Sequence, residues 1–343
     1  MTTQLDSQIG IKKESSYGTV ATPDFFPEFT EESFEWEPTF VQGSGMRVGQ
    51  RTDYADRRAL GLEQVSGGFT VELLTKGMGK LIEAALGGTG TSTQIGATDA
   101  YQQLFTPTST DPLSSYTIQK GIPPIGGGTT LPMTFAGMVC SGFEFAVPNG
   151  GIPTLQTSWV GKSVDTSTAL ATASYASAVE QMSFVHGAIT IGGSVTVPTT
   201  TALATGGTAV ANIREFRLSY DNGLDSDGRN LGSQGKRSRK NALGKRAITG
   251  NVVAEFDAAT LRDAWLNQTS LAIVLTLQWP IAIEASNFPT FQITLPVVKL
   301  EGELPKATQP GSVVSQSIDF TVMDGRVATH PLYIAIVTEE TAI

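Results

Sequence analysis

The residue types that most often perform catalysis or bind metal are few and widely spaced in this chain of 343 residues. Its two histidines, His186 and His330, lie outside the HExxH pattern of zinc sites and have no serine or aspartate at a spacing typical of nucleophilic catalysis. Cys140 is the single cysteine, so neither an intrachain disulfide nor a CxxC pair nor a zinc cluster can form. The sequence therefore does not indicate an enzyme.

Two short segments have part of the pattern of a ligand-binding loop. Residues 159–163 end in Gly-Lys-Ser, but Gln156 stands where a phosphate loop needs its first glycine. The acidic segment 221–228 resembles a calcium loop, yet Arg229 occupies the place of a further oxygen ligand, which favours a polar turn. We therefore predict no catalytic, cofactor-binding or metal-binding residues.

The composition favours strands and turns. Charged residues make up 16% of the chain, which contains 37 Gly and 17 Pro, whereas about 25% is usual in soluble domains. The net charge of −9 argues against a surface that grips nucleic acid, although it does not exclude a protein through which DNA passes. The most apolar segment, 271–283, is too short for a membrane helix, and the N-terminus lacks a secretory signal, which predicts synthesis in the cytoplasm.

An internal repeat organises the chain. At an offset of 183 residues, ALGLEQVSGGFTVEL (59–73) aligns with ALGKRAITGNVVAEF (242–256), with five identical positions where chance would give about one. Each copy has the alternating pattern of a strand followed by helical spacing, and Asp257 is a suitable N-cap in the second copy. Each half is thus predicted to contain a long loop, a strand and a short helix.

We therefore predict a mainly β chain with two tandem β-sandwich or barrel units, each with a short flanking α-helix and a long loop. The predicted divisions are an N-terminal arm over residues 1–29, a first unit over 30–165, a joiner over 166–211 and a second unit over 212–343. Within the joiner, residues 184–191 and 194–197 could form an extra hairpin that turns at Gly192 and Gly193.

Charge is distributed unevenly. Residues 24–37 contain six acidic side chains and no basic one, whereas residues 225–246 contain seven basic side chains and two acidic ones. Solvated flexible loops are one interpretation, and nucleic-acid binding is disfavoured because no aromatic residue lies in 231–246 to stack on bases. We favour head-to-tail self-association, in which complementary patches close into rings or extend into filaments.

Several segments also occur in an order typical of one family. They are Ile9–Thr19 followed by Thr22 and Pro23, Phe143–Phe145 before Gly150 and Gly151, 160–162, the strand 248–250 before Asp257, and Asp319 and Phe320 before Met323 and Asp324. These ordered features extend over nearly the whole chain and resemble the major tail tube proteins of bacteriophages with long, non-contractile tails.

The resemblance implies a structural virion protein with tube-type domains. Strands of neighbouring domains would form an inner β-barrel, and long loops and a terminal arm would bridge stacked rings to make a conduit for DNA ejection into the host. Two domains per chain predict a trimeric, pseudo-sixfold ring, with a hexamer as the alternative. By resemblance the partners are further copies of the chain, the tape measure protein and a tail terminator or distal tail protein. The protein would be made in the host cytoplasm.

Site residues follow from this resemblance. Glu72 and Glu255, at matching positions of the repeat, are candidates for a lumen surface that repels DNA phosphates, although each could instead be a partnered surface residue. The candidates for contacts between rings are Arg47, Arg51, Arg57, Arg58, Lys236, Arg237, Arg239 and Lys240. The acidic residues that could meet them are Asp24, Glu28, Glu31 and Glu32.

Two other classes of protein share this composition. A capsid or decoration protein would also be β-rich and acidic but would not need a tandem repeat. A carbohydrate-binding β-sandwich should have a cluster of exposed aromatic residues. Here the four tryptophans lie in apolar segments that are typical of a core, namely Trp36, Trp159, Trp265 and Trp279.

Overall fold

A computed structural model describes residues 3–88, 90–210, 212–256, 260–302 and 313–343, and its backbone is mainly β. Two α-helices are present in these ranges, α1 (Met78–Leu86) and α2 (Thr260–Leu266). The strands are β1 (Gln8–Lys13), β2 (Phe29–Glu32), β3 (Glu35–Gln42), β4 (Arg58–Glu72), β5 (Thr91–Gln94), β6 (Tyr101–Phe105), β7 (Tyr116–Ile122), β8 (Leu131–Val147), β9 (Thr154–Gly161), β10 (Ser163–Asp165), β11 (Gly187–Ile191), β12 (Val195–Thr196), β13 (Thr205–Gly206), β14 (Ile213–Asp221), β15 (Ala247–Glu255), β16 (Leu271–Gln278), β17 (Thr290–Gly302), β18 (Ser315–Val322) and β19 (Tyr333–Thr338). The predicted mainly β fold with few, short helices is confirmed.

The two halves of the chain pair their strands in the same order. In the first half the antiparallel order is β3, β4, β9, β8, β7 and β1. In the second half it is β14, β15, β18, β17, β16 and β11. The registers also agree, since Gly67 lies opposite Trp159 and Gly250 lies opposite Phe320. The repeat in the sequence therefore corresponds to a repeated strand topology.

One long strand in each half changes its pairing partners along its length. The first part of β8 pairs with β7 and β10, and its last part pairs with β9. Likewise β17 pairs with β16 and β19 before its end pairs with β18. A single hydrophobic core cluster contains residues of both halves, including Trp159, Phe145 and Phe291. The core is therefore shared by the two halves.

Alternation of apolar and polar residues determines which face of each strand is buried. In β14, Phe216, Leu218 and Tyr220 are buried whereas Arg217 and Ser219 are exposed. A strand directs successive side chains to opposite faces, so this pattern fixes the orientation of the strand against the core. Each large apolar side chain removed from water contributes about 1.5–3 kcal/mol to folding.

The joiner differs from the predicted hairpin. Strand β11 pairs with β16 rather than with the residues that follow Gly193, while β12 and β13 form a separate two-stranded sheet. Ile189 and Ile191 of β11 are buried, so their burial in the core outweighs local pairing around the two glycines. Strand β1, in the predicted N-terminal arm, has the same position in the first half. The predicted N-cap, Asp257, lies outside the described residues, and the predicted division into domains stays a prediction.

Pairing of β8 with β14 joins the two halves edge to edge. Leu218 lies opposite Phe145, and the Tyr220 ring stacks on Phe143 with centroids 5.3 Å apart. One antiparallel sheet thus contains eight strand positions in the order β3, β4, β9, β8, β14, β15, β18 and β17, with β2 continuing the line of β3 along β4. We call it the eight-stranded sheet.

We expect Gly67→Ala to destabilise the fold by about 1–3 kcal/mol, the usual cost of overpacking. A Cβ atom at Gly67 would lie 2.4 Å from Cα of Phe34 and 2.7 Å from the carbonyl oxygen of Ser33. Urea unfolding would measure the change. The control is Gly126→Ala, which has no atom within 4 Å of the added carbon. Equal unfolding midpoints for the two variants would show that the close approach of Gly67 to Ser33 and Phe34 does not require a glycine.

Candidate functional surface

The side chains of the eight-stranded sheet that point away from the core form one broad polar surface, which we call the open face. Strand register aligns its residues in rows that cross the sheet. One row crosses all eight strand positions and contains Glu31, Thr70, Gln156, Glu144, Ser219, Thr249, Thr321 and Lys299. Both halves therefore contribute to one continuous polar surface.

The open face is strongly acidic. Its basic side chains in the described strands are Arg217, Lys299 and Arg214, whose guanidinium reaches Glu255. Its ten acidic side chains are Glu31, Glu35, Glu37, Glu72, Glu144, Glu215, Asp221, Glu255, Glu301 and Asp319. With three positive charges against ten negative ones among its strand residues, this face has most of the excess negative charge of a chain whose net charge is −9.

The structure places both acidic residues predicted from the repeat on the open face. Glu72 and Glu255 occupy matching positions at the ends of β4 and β15, opposite Thr154 and Ser315. The Glu72 carboxylate accepts a hydrogen bond from the Gln181 side chain, and that of Glu255 lies 3.8 Å from the Arg214 guanidinium. The other eight acidic residues of this face were missed because the repeat comparison selects only positions that match in both copies.

A hairpin projects beyond the sheet from the first half. Strands β3 and β4 remain paired from Pro38 and Glu63 to Gln42 and Arg58, and we call residues 38–62 the projecting hairpin. Its exposed apolar side chains are Phe40, Val41, Met46, Val48, Leu60 and Leu62. The predicted contact residues Arg47, Arg51 and Arg57 lie on it, and Arg58 in β4 stacks on the Phe40 ring at 4.5 Å. The hairpin therefore presents both apolar and cationic groups to solvent.

The equivalent segment of the second half, residues 222–246, folds back on the first half instead. We call it the basic loop. The Arg229 side chain donates to the carbonyl oxygen of Glu63 from Nε at 3.0 Å and from Nη2 at 2.9 Å. The backbone N–H of Glu63 donates to the carbonyl oxygen of Gly235 at 3.0 Å. Lys236 Nζ lies 4.0 Å from the Glu63 carboxylate. The basic loop is therefore attached to β4.

Arg237 holds the basic loop together. It is 3% exposed, and its guanidinium donates to the carbonyl oxygens of Ser226, at 2.8 Å, and Asp227. Burial, together with the charge of nearby Arg229, lowers the pKa of Arg237. Nη2 of Arg239 donates a hydrogen bond to the carboxylate of its ion-pair partner Asp225 at 2.5 Å. This hydrogen bond lowers the pKa of Asp225. Lys240, by contrast, remains partly exposed.

The acidic segment predicted to meet the basic residues does not form one patch. Asp24 pairs with Lys12, and Glu32 pairs with Lys120 at 3.0 Å. Glu31 belongs to the open face, while Glu28 is exposed outside it. Charge content along the sequence could not separate these environments, because neighbouring strand residues point to opposite faces.

The described ranges contain no helix that is long and apolar enough to cross a membrane. Within the same ranges, no group of three or more His, Cys, Asp or Glu side chains could hold a metal ion. Cys140 is buried, and this burial raises the pKa of its thiol to about 12.

We expect Arg237→Met to lower the free energy of unfolding by about 1–3 kcal/mol, because the hydrogen bonds of a charged guanidinium to the carbonyl oxygens of Ser226 and Asp227 would be lost. Urea unfolding would measure this loss. Lys240→Met removes a similar charge from a more exposed position and should change the stability by less than about 0.5 kcal/mol. A smaller loss for Arg237→Met than for Lys240→Met would show that Arg237 does not stabilise the loop.

The sequence from residue 4 to residue 322 matches a family model described as phage tail tube protein. No curated protein matches the chain.

Proposed function

We propose, because this chain belongs to the phage tail tube protein family, that its copies close into rings that stack into a tube for the passage of DNA. Membership in this family indicates a structural protein of the virion. The observation that supports the proposal is the eight-stranded sheet, which joins two similar halves edge to edge and has an acidic open face.

We expect two copies to pair their edge strands in the way that β8 pairs with β14 within one chain. The edge of β14 opposite β15 is covered by β8, whereas the equivalent edge of β2 and β3 has no paired strand among the described residues. At the far side of the sheet, the end of β17 pairs with β18 alone. Pairing these two edges between copies would close the sheet and remove its exposed backbone groups.

The repeat also fixes the expected register of this contact. Trp36 lies opposite Val65, and Tyr220 lies opposite Ile248. Val65 and Ile248 are equivalent in the repeat, since they are 183 residues apart, so Trp36 and Tyr220 are equivalent as well. By the same equivalence, Gly302 and Glu301 correspond to Phe143 and Gly142. A neighbouring copy should therefore place Gly302 opposite Trp36 and Glu301 opposite Glu37.

The exposure of Trp36 supports the proposal that another copy covers this edge on assembly. It is 41% exposed, whereas Tyr220 at the equivalent position is 1% exposed because it packs against Phe143. A large aromatic side chain at an exposed sheet edge is typical of a surface that another chain covers. Glycine at position 302 would leave room for the indole.

The width of the sheet favours three chains in each ring. Three copies would supply 24 strands, and a barrel of that number at a spacing of about 4.8 Å and a tilt of about 40° is roughly 48 Å across. Side chains reaching about 6 Å inward leave a channel of about 35 Å, wider than a DNA duplex of about 20 Å. Two copies would leave no clearance, and six would give a barrel of about 96 Å. A trimeric, pseudo-sixfold ring fits best.

The open face would line this channel. Its acidic side chains repel DNA phosphates, so DNA could pass without being held. Glu72 and Glu255 would belong to this lining together with the acidic residues that the sequence comparison missed.

Stacking of rings would use the long loops. The projecting hairpin, with Arg47, Arg51 and Arg57, reaches beyond the sheet and exposes apolar side chains to a neighbouring ring. Arg58 lies on the same hairpin, opposite Gln42 at the outer end of its paired part. Lys236, Arg239 and Lys240 would add charge from the basic loop, whereas Arg237 stays inside that loop. Acidic groups such as Asp24 and Glu28 of a neighbouring ring are candidates to form ion pairs with these basic residues. The tape measure protein and the tail terminator or distal tail protein are further proposed partners.

We predict that the double variant Glu37→Cys/Glu301→Cys will form disulfides between copies. Residues that lie directly opposite in antiparallel strands have Cα atoms about 4.5–5.5 Å apart, within the range that a disulfide spans. Non-reducing gels of oxidised assemblies should show dimers and a closed trimer. The native Cys140 should not interfere, because it is buried and its thiol has a raised pKa.

The matched control for register is Glu35→Cys/Glu301→Cys, in which the first cysteine is moved by two residues on the same face. It should crosslink far less. Equal crosslinking by both variants would contradict the proposed register, and covalent hexamers in place of trimers would contradict the proposed ring.

We predict that Glu144→Lys/Asp319→Lys tubes will retain double-stranded DNA, since two acidic groups on the open face become attractive to phosphates. Co-sedimentation of DNA fragments with assembled tubes would measure retention, which should fall steeply as salt rises. The control Asp263→Lys/Glu339→Lys makes the same change of charge outside the eight-stranded sheet. Equal retention by the two variants would argue against a lumen on the open face.

A further inference from the structure

We propose that the ion pair between Glu32 and Lys120 caps the open edge of β2 and β3 and controls when a second copy of this chain can pair there. This inference rests on the proposed function, because the second copy is the strand partner expected in a ring. Glu32 and Lys120 bind Phe34, which lies two residues before Trp36, the residue that the proposed register places opposite Gly302.

The ion pair occupies both backbone groups of one edge residue. The N–H of Phe34 donates to Oε2 of Glu32 at 2.9 Å, and Nζ of Lys120 donates to the carbonyl oxygen of Phe34 at 2.6 Å. Lys120 Nζ also lies 3.0 and 3.1 Å from the two carboxylate oxygens of Glu32. Side chains therefore satisfy groups that a neighbouring strand would otherwise bind.

These backbone groups point toward the open edge. The N–H of the preceding residue, Ser33, donates to the carbonyl oxygen of Gly68 in β4 at 2.9 Å. Successive residues of an extended strand direct their backbone groups to opposite sides. The N–H and C=O of Phe34 therefore point away from β4, to the side on which a second copy would pair.

The second half has the same edge without the cap. Leu218, the equivalent of Phe34, lies between Gly250 of β15 and Phe145 of β8, so its edge is already covered within the chain. Phe216 occupies the position of Glu32. Phe216 lies opposite Val252, and Glu32 lies opposite Phe69, the residue equivalent to Val252 in the repeat.

The position of Lys120 is taken by Leu275 in the second half. Lys120 lies opposite Ile9 of β1, and Leu275 lies opposite Ile189 of β11. Phe216 and Leu275 are both buried. The chain thus has an apolar pair where the edge is covered and an ion pair where the edge is open.

This difference suits a protein that must assemble at one edge but remain separate before then. An uncovered strand edge invites pairing with any other strand. Side-chain hydrogen bonds to Phe34 block such pairing, and charge-assisted hydrogen bonds are stronger than neutral ones. A second copy in the correct register gains backbone hydrogen bonds along β3 that offset the loss of the cap, whereas an incidental strand gains fewer.

The test is the double variant Glu32→Phe/Lys120→Leu, which installs the residues of the second half. We expect rings to form about tenfold faster or more, since the hydrogen bonds that must be broken before pairing are absent. Light scattering and electron microscopy would follow assembly. In the unassembled chain, hydrogen exchange at the Phe34 amide should accelerate by about tenfold as well.

The matched control is Lys76→Leu/Glu339→Phe, which removes an ion pair of 2.7 Å away from the edge and should leave both rates unchanged. If the double variant fails to fold, Glu32→Gln keeps an acceptor for Phe34 but removes the charge that pairs with Lys120, and it should give an intermediate rate.

The outcomes separate this inference from the proposed function. Wild-type rings that form at the same rate as rings of a folded double variant would overturn the cap. If neither protein forms rings, the proposed function fails and so does control of assembly, while exchange at Phe34 still decides whether the ion pair protects the edge.

Discussion

The structure depends on one constraint, which is that a β-strand leaves unpaired backbone groups at any edge that no other strand covers. Within the chain, β8 and β14 satisfy this constraint by pairing two similar halves edge to edge. That pairing creates one sheet from two units and aligns their polar residues in continuous rows. In the eight-stranded sheet, the same constraint leaves β2 with β3, and the end of β17, without a second strand partner among the described residues.

The two halves have the same strand order but differ in what they do with it. In the second half, the segment between β14 and β15 folds back on β4 through Arg229 and Gly235. In the first half, the segment between β3 and β4 projects as a hairpin with exposed apolar side chains. The two halves therefore share one framework but use the equivalent segment differently. The basic loop stabilises the chain internally, while the projecting hairpin is available for contacts outside it.

Charge is separated by the pleat of the sheet rather than by position along the chain. Glu31 and Glu32 are adjacent in sequence, yet one lies on the open face and the other forms an ion pair with Lys120 beside the core. Likewise Arg237 is buried in the basic loop whereas Lys240 is more exposed. A single net charge of −9 consequently combines an acidic face, a basic loop and internal ion pairs.

The sequence by itself determined the mainly β fold, the repeat around Gly67 and Gly250, and the placement of Glu72 and Glu255 at matching positions, because alternation and self-similarity are local properties. Only the tertiary structure decided that β11 pairs with β16, that Arg237 is buried, and that ten acidic residues share one face. These features depend on pairing between residues that are distant in the chain. Such pairing is set by which apolar faces can be buried together, and spacing along the sequence does not contain that information.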